Sequence, residues 1–440
     1  MKNKNNNIRI KKIQRSLLFL LVIIGIINYM DRATLAIANT AISDEFSLSK
    51  IEMGYLLSAF SLTYAFLQLP VGAFLDRAGS RLLLGIGLIV WSAAQLAGGL
   101  THNFKTLLLT RVILGAGEAP QFPAAAKCIS EWFNMKERGR AVGIFTSSAS
   151  MGTALAPPIL TGLMLTFGWR WMFIIMGVSG ILLGIIWLVA YKSRAQYNLS
   201  PEEVEHLDQG SLKSSNEKPT SKDWLNLFKN RSTWGVIFGF MGIIYVMWMY
   251  LSWLPAYLNS SFNISLTETA WFTTIPFLFA IAGSISSGFI SERWIKRGAE
   301  IIQTRKSLVT IGLLLSAAFT IPAAYASTVV VATIYISLAQ FFIQLACASS
   351  WALVTSIVPS NQTASLGGAQ NFGGYLAGSA APIVTGYLAQ HSGNFKSALI
   401  VTGCVAVCAA VIHYALVRRP QNEICSNSRA EGHLGHREAS

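Results

Sequence analysis

The chain has 440 residues, of which 52% are hydrophobic and only 12% charged. A soluble domain carries about 25% charge, so most of this surface faces something other than water. The net charge of +14 would suit a nucleic-acid partner, but the Lys and Arg residues gather in the polar loops on one side of a series of apolar segments, and that asymmetry reads as membrane orientation.

Residues 1–16 form a basic N-terminal tail, expected in the cytoplasm. The apolar run that follows lacks a small-residue cleavage site and continues into Asn28-Tyr29-Met30-Asp31-Arg32, so it is a retained helix and not a signal peptide. It opens a first six-helix bundle over 17–191, with crossings expected near 17–42, 52–75, 82–100, 105–128, 141–166 and 170–191. Residues 192–231 mix Lys, Glu, Ser, Asn and Pro as a cytoplasmic linker. A second six-helix bundle over 232–416 has crossings near 232–256, 268–290, 307–326, 329–352, 363–389 and 397–416. Its stretch Ser307–Phe395 holds no Asp, Glu, Lys or Arg, with room for four crossings at about 20 residues each. Residues 417–440 form a polar cytoplasmic tail, expected to be disordered. On the far side the basic residues reduce to Lys50, Lys105, Arg170 and Lys396, which puts both termini in the cytoplasm. In hydrocarbon the backbone must satisfy itself within each segment, so the fold class is an all-α polytopic membrane protein with twelve transmembrane helices.

The two halves repeat one another. Gly72-Ala-Phe-Leu-Asp76-Arg77 follows the second crossing and Gly288-Phe-Ile-Ser-Glu292-Arg293 follows the eighth. Pro158-Ile-Leu-Thr161-Gly162 in the fifth crossing matches Pro382-Ile-Val-Thr385-Gly386 in the eleventh. Parallel repeats of this kind enclose a site at their interface near the bilayer midplane. Asp31, Arg32, Arg111 and Glu118 fall at bilayer depth, all in the first half, where each charge costs at least ~2.5–3.5 kcal/mol and so has a partner or a function. One reading is a pair of ion pairs joining the first and fourth crossings. The other is that an arginine receives a substrate carboxylate through a two-pronged hydrogen bond while the carboxylates carry protons. The second half offers neutral groups instead: Gln340, Gln344, Ser349, Ser350, Trp351, Gln370, Asn371 and Tyr375. The acid–arginine pairs Asp76/Arg77 and Glu292/Arg293, with Arg81, read as gate elements.

The Gly-x-x-x-Asp-Arg-x-Gly-x-Arg loop at 72–81 resembles the signature of the major facilitator superfamily. Asn28-Tyr29-x-Asp31-Arg32 and Arg111-x-x-x-Gly115-x-Gly117-Glu118-Ala119-x-x-Phe122-Pro123-Ala124 resemble the anion:cation symporter family within it, which includes bacterial sugar-acid and hexuronate carriers. That resemblance implies alternating access and proton-coupled symport of a small organic anion, a hexonate, aldarate or hexuronate foremost, across the bacterial inner membrane. It assigns substrate binding to Arg32, with Tyr29, Tyr64, Ser147, Trp351 and Asn371 lining the site. It assigns proton coupling to Asp31 and Glu118, with Arg111 as their counter-charge. Ser147-Ser148-Ala149-Ser150 stands where sugar-acid members often carry an amide, so an aromatic or dicarboxylic acid is an alternative substrate. A drug or cation exporter of the same fold is a second alternative, and exchange for inorganic phosphate a third.

No nucleophile–base motif, nucleotide loop or metal-ligand cluster is present, so neither catalytic residues, nor a metal, nor a cofactor is expected, the proton gradient being the energy source. Cys128, Cys347, Cys404 and Cys408 read as small buried apolar residues, with Cys425 in the tail. Trp169, Trp171 and Tyr191 read as interfacial anchors near span ends. The expected partners are the anion, protons and the bilayer, with no nucleic acid, and nothing in the sequence demands more than a monomer.

Overall fold

The computed structural model of the protein describes residues 2–208, 227–358 and 363–418. Within that range the helices are α1 (Lys2–Ile37), α2 (Asn39–Phe46), α3 (Lys50–Gly99), α4 (Phe104–Glu118), α5 (Gln121–Trp132), α6 (Met135–Ala190) and α7 (Pro201–Asp208). They continue as α8 (Arg231–Phe262), α9 (Leu266–Lys296), α10 (Ile301–Ala323), α11 (Val329–Ile357), α12 (Thr363–His391) and α13 (Lys396–Leu416). By length and apolar composition alone eight helices in this range can cross a membrane. One of these, Arg140–Ala190, holds two crossings. The first limb of α3, the α4–α5 pair and the glycine-rich α12 complete twelve.

Two loops expected in the sequence are single residues in the structure. Helix α3 runs 50 residues and turns only at Gly79 (φ 75°, ψ 160°), and α6 runs 56 residues and turns only at Gly168 (φ 83°, ψ 164°). Both conformations lie where a Cβ is strained, so a glycine reverses the chain without a loop. Conversely, the crossing expected as one helix over 105–128 is broken between α4 and α5 at Ala119-Pro120, because proline cannot donate into the ladder. Polar caps start the helices: the side chains of Ser49, Asn103, Asn134, Ser265 and Thr328 accept from backbone N–H groups three residues on, satisfying donors the helix cannot.

Residues 2–16 of the N-terminal tail are helical, since α1 continues through them. Ile10 and Leu17 are buried. Gln14 donates to the Trp132 carbonyl at 2.7 Å, and Arg9 lies 3.7 Å from Glu203 of α7. Apolar side chains at helical spacing in α1, with Leu207 of α7 and Tyr197 edge-on to Trp132, bind the start of the linker to the first half. Residues 209–226 and 419–440, and with them Cys425, lie outside the described range.

Of the proposed anchors, Trp171 is exposed, but Trp169 and Tyr191 are buried, each with a carboxylate partner for its polar tip. Trp169 donates to Glu45 at 2.7 Å and Tyr191 to Glu131 at 3.2 Å. Cys128 is buried, whereas Cys404 and Cys408 are exposed; they sit one turn apart on a face of α13 that no helix covers.

Candidate functional site

Helices in lipid gain little from apolar burial against each other, so small residues that let backbones approach decide where they pack. Helix α4 uses Gly115 and Gly117 in this way. A Cβ at Gly117 would meet the Trp91 backbone nitrogen at 2.6 Å, and one at Gly115 has no room against the Phe60 carbonyl. Both limbs of α3 therefore press on α4, and the next residue, Glu118, is carried into the protein with no exposure at all.

There Glu118 meets Arg32 of α1. Arg32 Nε donates to Glu118 Oε2 at 2.8 Å, and its NH1 donates to the Tyr375 hydroxyl of α12 at 3.2 Å. Its NH2 and the second Glu118 oxygen have no hydrogen-bond partner. The rings of Tyr29, Phe60 and Tyr64 surround the guanidinium at 4.6, 5.0 and 5.1 Å. Aromatic faces stabilise a cation without occupying its N–H donors, so the arrangement holds a charge in a dry place while leaving a donor free. Tyr64 meets Tyr375 at 4.4 Å with the rings tilted by 43°, and Phe60 stacks on Trp248 of α8 at 5.6 Å. The cluster thus lies on the seam between the first six crossings and the last six.

Arg111 makes no hydrogen bond to Glu118, although the two share a face of α4. Its NH2 donates to Gln95 Oε1 at 2.9 Å and its guanidinium lies 5.1 Å from the Phe173 ring centroid. Arg32 reaches across from α1 to Glu118, and Arg111, two turns away along α4, faces the second limb of α3. Asp31 is wholly buried, and neither of its oxygens has a well-formed hydrogen bond.

The remaining lining candidates separate into two groups. Asn371 donates to Gln68 Oε1 of α3 at 2.6 Å, one turn from the Tyr64–Tyr375 contact. Ser147 is exposed and donates to the Ile144 carbonyl at 2.7 Å within its own helix. Trp351 is 42% exposed, edge-on to Phe240; neither side chain touches the Arg32 cluster. Among the gate candidates, Arg81 donates to the Leu188 carbonyl and to Gln196, so it caps the end of α6 instead of pairing with an acid. Glu292 pairs with Lys296 at 3.5 Å, one turn on in α9, and Arg77 and Arg293 are exposed. The Asp76 side chain lies outside the described residues. Sequence reasoning missed Gln68, Gln95, Phe60 and Trp248; the two glutamines could have been found as amides within apolar segments.

Helices α3 and α12 run antiparallel along the seam. From Gln68–Asn371 and Tyr64–Tyr375 the contact continues to Gly54, which lies against the Pro382 carbonyl, and to Gly386, which lies against the Lys50 carbonyl. It ends where Lys50 Nζ donates to the Ala389 carbonyl at 3.2 Å and the Ile51 N–H to Gln390 at 3.1 Å. Among the described residues, hydrogen bonds and ring contacts between the halves occur only from this end to Gln68 and Asn371. Toward the end that carries the chain termini, none joins two described residues of opposite halves. No group of three His, Cys, Asp or Glu that could hold a metal occurs among the described residues.

The Major Facilitator Superfamily profile matches residues 21–382. A probable L-galactonate transporter of Escherichia coli (strain K12) is 43% identical over 415 residues, covering 94% of this chain and 92% of that protein. A D-galactonate transporter of Escherichia coli O6:H1 is 35% identical over 410 residues, covering 91% and 94%. A probable galactarate/D-glucarate transporter of Bacillus subtilis is 32% identical over 419 residues, covering 92% and 91%. Among solved structures, a bacterial homologue of the human lysosomal transporter Spinster, inward-facing, superposes with a TM-score of 0.78 at 20% identity over 93% of this chain and 97% of that one. A D-xylose-proton symporter superposes with a TM-score of 0.68 at 18% identity, covering 92% and 98%.

Proposed function

Because this chain belongs to the major facilitator superfamily, and is therefore a membrane transporter and not an enzyme, we propose that it carries a sugar acid, a hexonate foremost, into the cell together with protons. The observation that carries the reading is the Arg32 cluster: a buried guanidinium on the seam of the two halves, paired with Glu118, touched by Tyr375 from the opposite half, and retaining a free donor. A carboxylate entering the seam takes up that donor and competes with Glu118 for the rest of the fork. Glu118, once it loses its cationic neighbour, binds a proton more readily. Substrate and proton are thereby linked through one side chain. The names of the three relatives support a polyhydroxylated acid as cargo, since all of them are transporters of galactonate, galactarate or glucarate.

In this reading the structure is the inward-open state, with the far end sealed by α3 and α12 and the end with the termini parted. Ser147 and Trp351 then line the open vestibule. Arg77, Glu292 and Arg293 stand apart, ready to meet when that side closes. The positive loops support a topology with both termini in the cytoplasm and the protein in the bacterial cytoplasmic membrane.

Uptake of labelled acids into proteoliposomes, with and without an inward proton gradient, tests the proposal. The panel spans hexonates, aldarates, hexuronates, dicarboxylates and aromatic acids. Gradient-stimulated uptake of one sugar-acid class, lost in Arg32→Ala, is expected. No uptake of any acid, or efflux of lipophilic cations in its place, would defeat it, and exchange against phosphate indifferent to the gradient would replace it.

A further inference from the structure

Behind the Arg32 cluster lies a second polar chain that joins three helices. Gln95, on the second limb of α3, is wholly buried. Its Oε1 accepts from Arg111 NH2 of α4 and its Nε2 donates to Thr34 Oγ1 of α1, each at 2.9 Å. Thr34 in turn donates to the Asp31 carbonyl at 2.7 Å. The direction of the amide is not arbitrary. A guanidinium only donates, so oxygen must face Arg111 and nitrogen must face Thr34, whose own proton is spent on Asp31. Gly98, one turn further along α3, completes the berth: a Cβ there would stand 3.0 Å from Arg111 NH2. Helix α3 thus supplies both the acceptor for Arg111 and the space it occupies.

That berth holds the arginine where it makes no hydrogen bond to either buried acid. The charged groups that act on Asp31 are Glu118 and Arg111, with the Trp91 indole of α3 beside it. Those that act on Arg111 are Asp31 and Glu118. Arg32, with Tyr29, Tyr64 and Tyr375 around it, faces Glu118, and α6 presents Phe173.

Resting on the proton-coupled reading above, we propose that Gln95 is a positioning residue for proton coupling: it holds Arg111 out of hydrogen-bond contact with the Asp31 carboxylate so that this acid can be protonated, and release of Arg111 from the amide expels the proton. Gln95 touches neither substrate nor proton. It acts through Arg111, and through Thr34 it ties the position of that arginine to helix α1, which carries Asp31 and Arg32.

The test is the pH profile of gradient-driven hexonate uptake by the reconstituted full chain, beside gradient-independent counterflow. In Gln95→Met the side chain keeps its length and loses its acceptor. Arg111 turns to Asp31, favours the charged form, and moves the midpoint of uptake to lower pH by at least about one unit, as an opposite charge at contact does. In Gln95→Glu the arginine is held more tightly and the midpoint moves to higher pH. Thr34→Val, a milder change that frees the amide, shifts it in the same sense as Gln95→Met and guards against a variant that fails to fold. Counterflow KM stays within about twofold of the unaltered chain, since one to two charged hydrogen bonds to substrate would change it tenfold or more. Unshifted midpoints with only a lower rate, or a KM that changes in step, would overturn the role of Gln95 alone. Absence of gradient stimulation in the unaltered chain would overturn it together with the coupled reading.

Discussion

Replacing Arg32 by lysine keeps the charge and removes the fork, which isolates geometry from electrostatics. In the structure Arg32 spans Glu118 through Nε at 2.8 Å and Tyr375 through NH1 at 3.2 Å, with NH2 open. A single ammonium nitrogen cannot reach across those separated positions and also meet a carboxylate in two prongs. It stays beside Glu118, so no buried carboxylate is stranded, and the loss of about 3–5 kcal/mol expected on deleting one partner of a buried pair is avoided. What disappears is one charge-assisted hydrogen bond to the substrate, worth about 1.5–3 kcal/mol. At about 1.4 kcal/mol per tenfold this weakens binding roughly 10- to 100-fold. Counterflow in proteoliposomes measures it as a rise in substrate KM with a thermal midpoint in detergent close to that of the unaltered protein. A KM within threefold of the original would refute the argument, because it would mean that the carboxylate does not use the guanidinium fork.

Glu118→Gln preserves the shape of the acid and an acceptor for Arg32, so exchange should persist while proton-driven accumulation falls to the level without a gradient; accumulation at the original level would remove Glu118 from coupling. Gln68→Leu deletes the acceptor of the Asn371 amide. It should raise KM about 3- to 10-fold for a hexonate, the worth of a neutral hydrogen bond, while sparing a short unhydroxylated acid; equal effects on both would assign the amide pair to gating alone. At the far end Glu45 accepts from Trp169 and pairs with Arg170 at 2.6 Å. Against a burial contribution that opposes them, these partners hold its carboxyl below the ordinary value of 4.5. A depressed carboxyl contributes stability above its unfolded value and loses it as pH falls through the folded one. Glu45→Gln should therefore lower the thermal midpoint slightly at pH 7, by the equivalent of under ~1 kcal/mol for a solvent-screened pair, and the gap should close below pH 4.5; a gap constant with pH would assign the effect to packing.

The twelve crossings and their division into two sixes were legible because a membrane allows few alternatives: long apolar segments must be helices, and loop charge and repeated motifs mark their order. The embedded charges were legible for the same reason, since each stands out in an apolar run. Their pairing was legible in part: an ion pair between the first and fourth crossings was one reading, and Arg32–Glu118 is such a pair. Arg111, read as a counter-charge to the acids, hydrogen-bonds Gln95 instead. Arg111 and Glu118 share a face of α4, yet Glu118 pairs with Arg32, because which side chains meet depends on how closely helices approach. Gly115 and Gly117 set how closely α3 lies on α4, and a glycine in a sequence does not announce the backbone that will lie against it. Neutral partners were harder still. Gln68 and Gln95 sit among apolar residues with nothing in their own segments to name a counterpart, and Tyr375 meets Arg32 across 343 residues of chain. The helical course of residues 2–16 was hidden by their charge, which outweighs the buried face formed by Ile10, Gln14 and Leu17.

At the sealed end Gly54 and Gly386 lay bare helix backbone against the carbonyls of Pro382 and Lys50, where other transporters could have interleaved large side chains. A joint of this kind has no knobs to withdraw from holes. The two helices can lift apart as smooth rods, breaking two polar links at the rim and many weak dispersion contacts, with few rotamers to rearrange on the way. Such a closure is stiff when shut, because backbone atoms do not yield, and quick to release, because nothing is threaded through it. At this end the seam is a magnetic catch and not a zip, held by backbone contact and by two polar links at its rim.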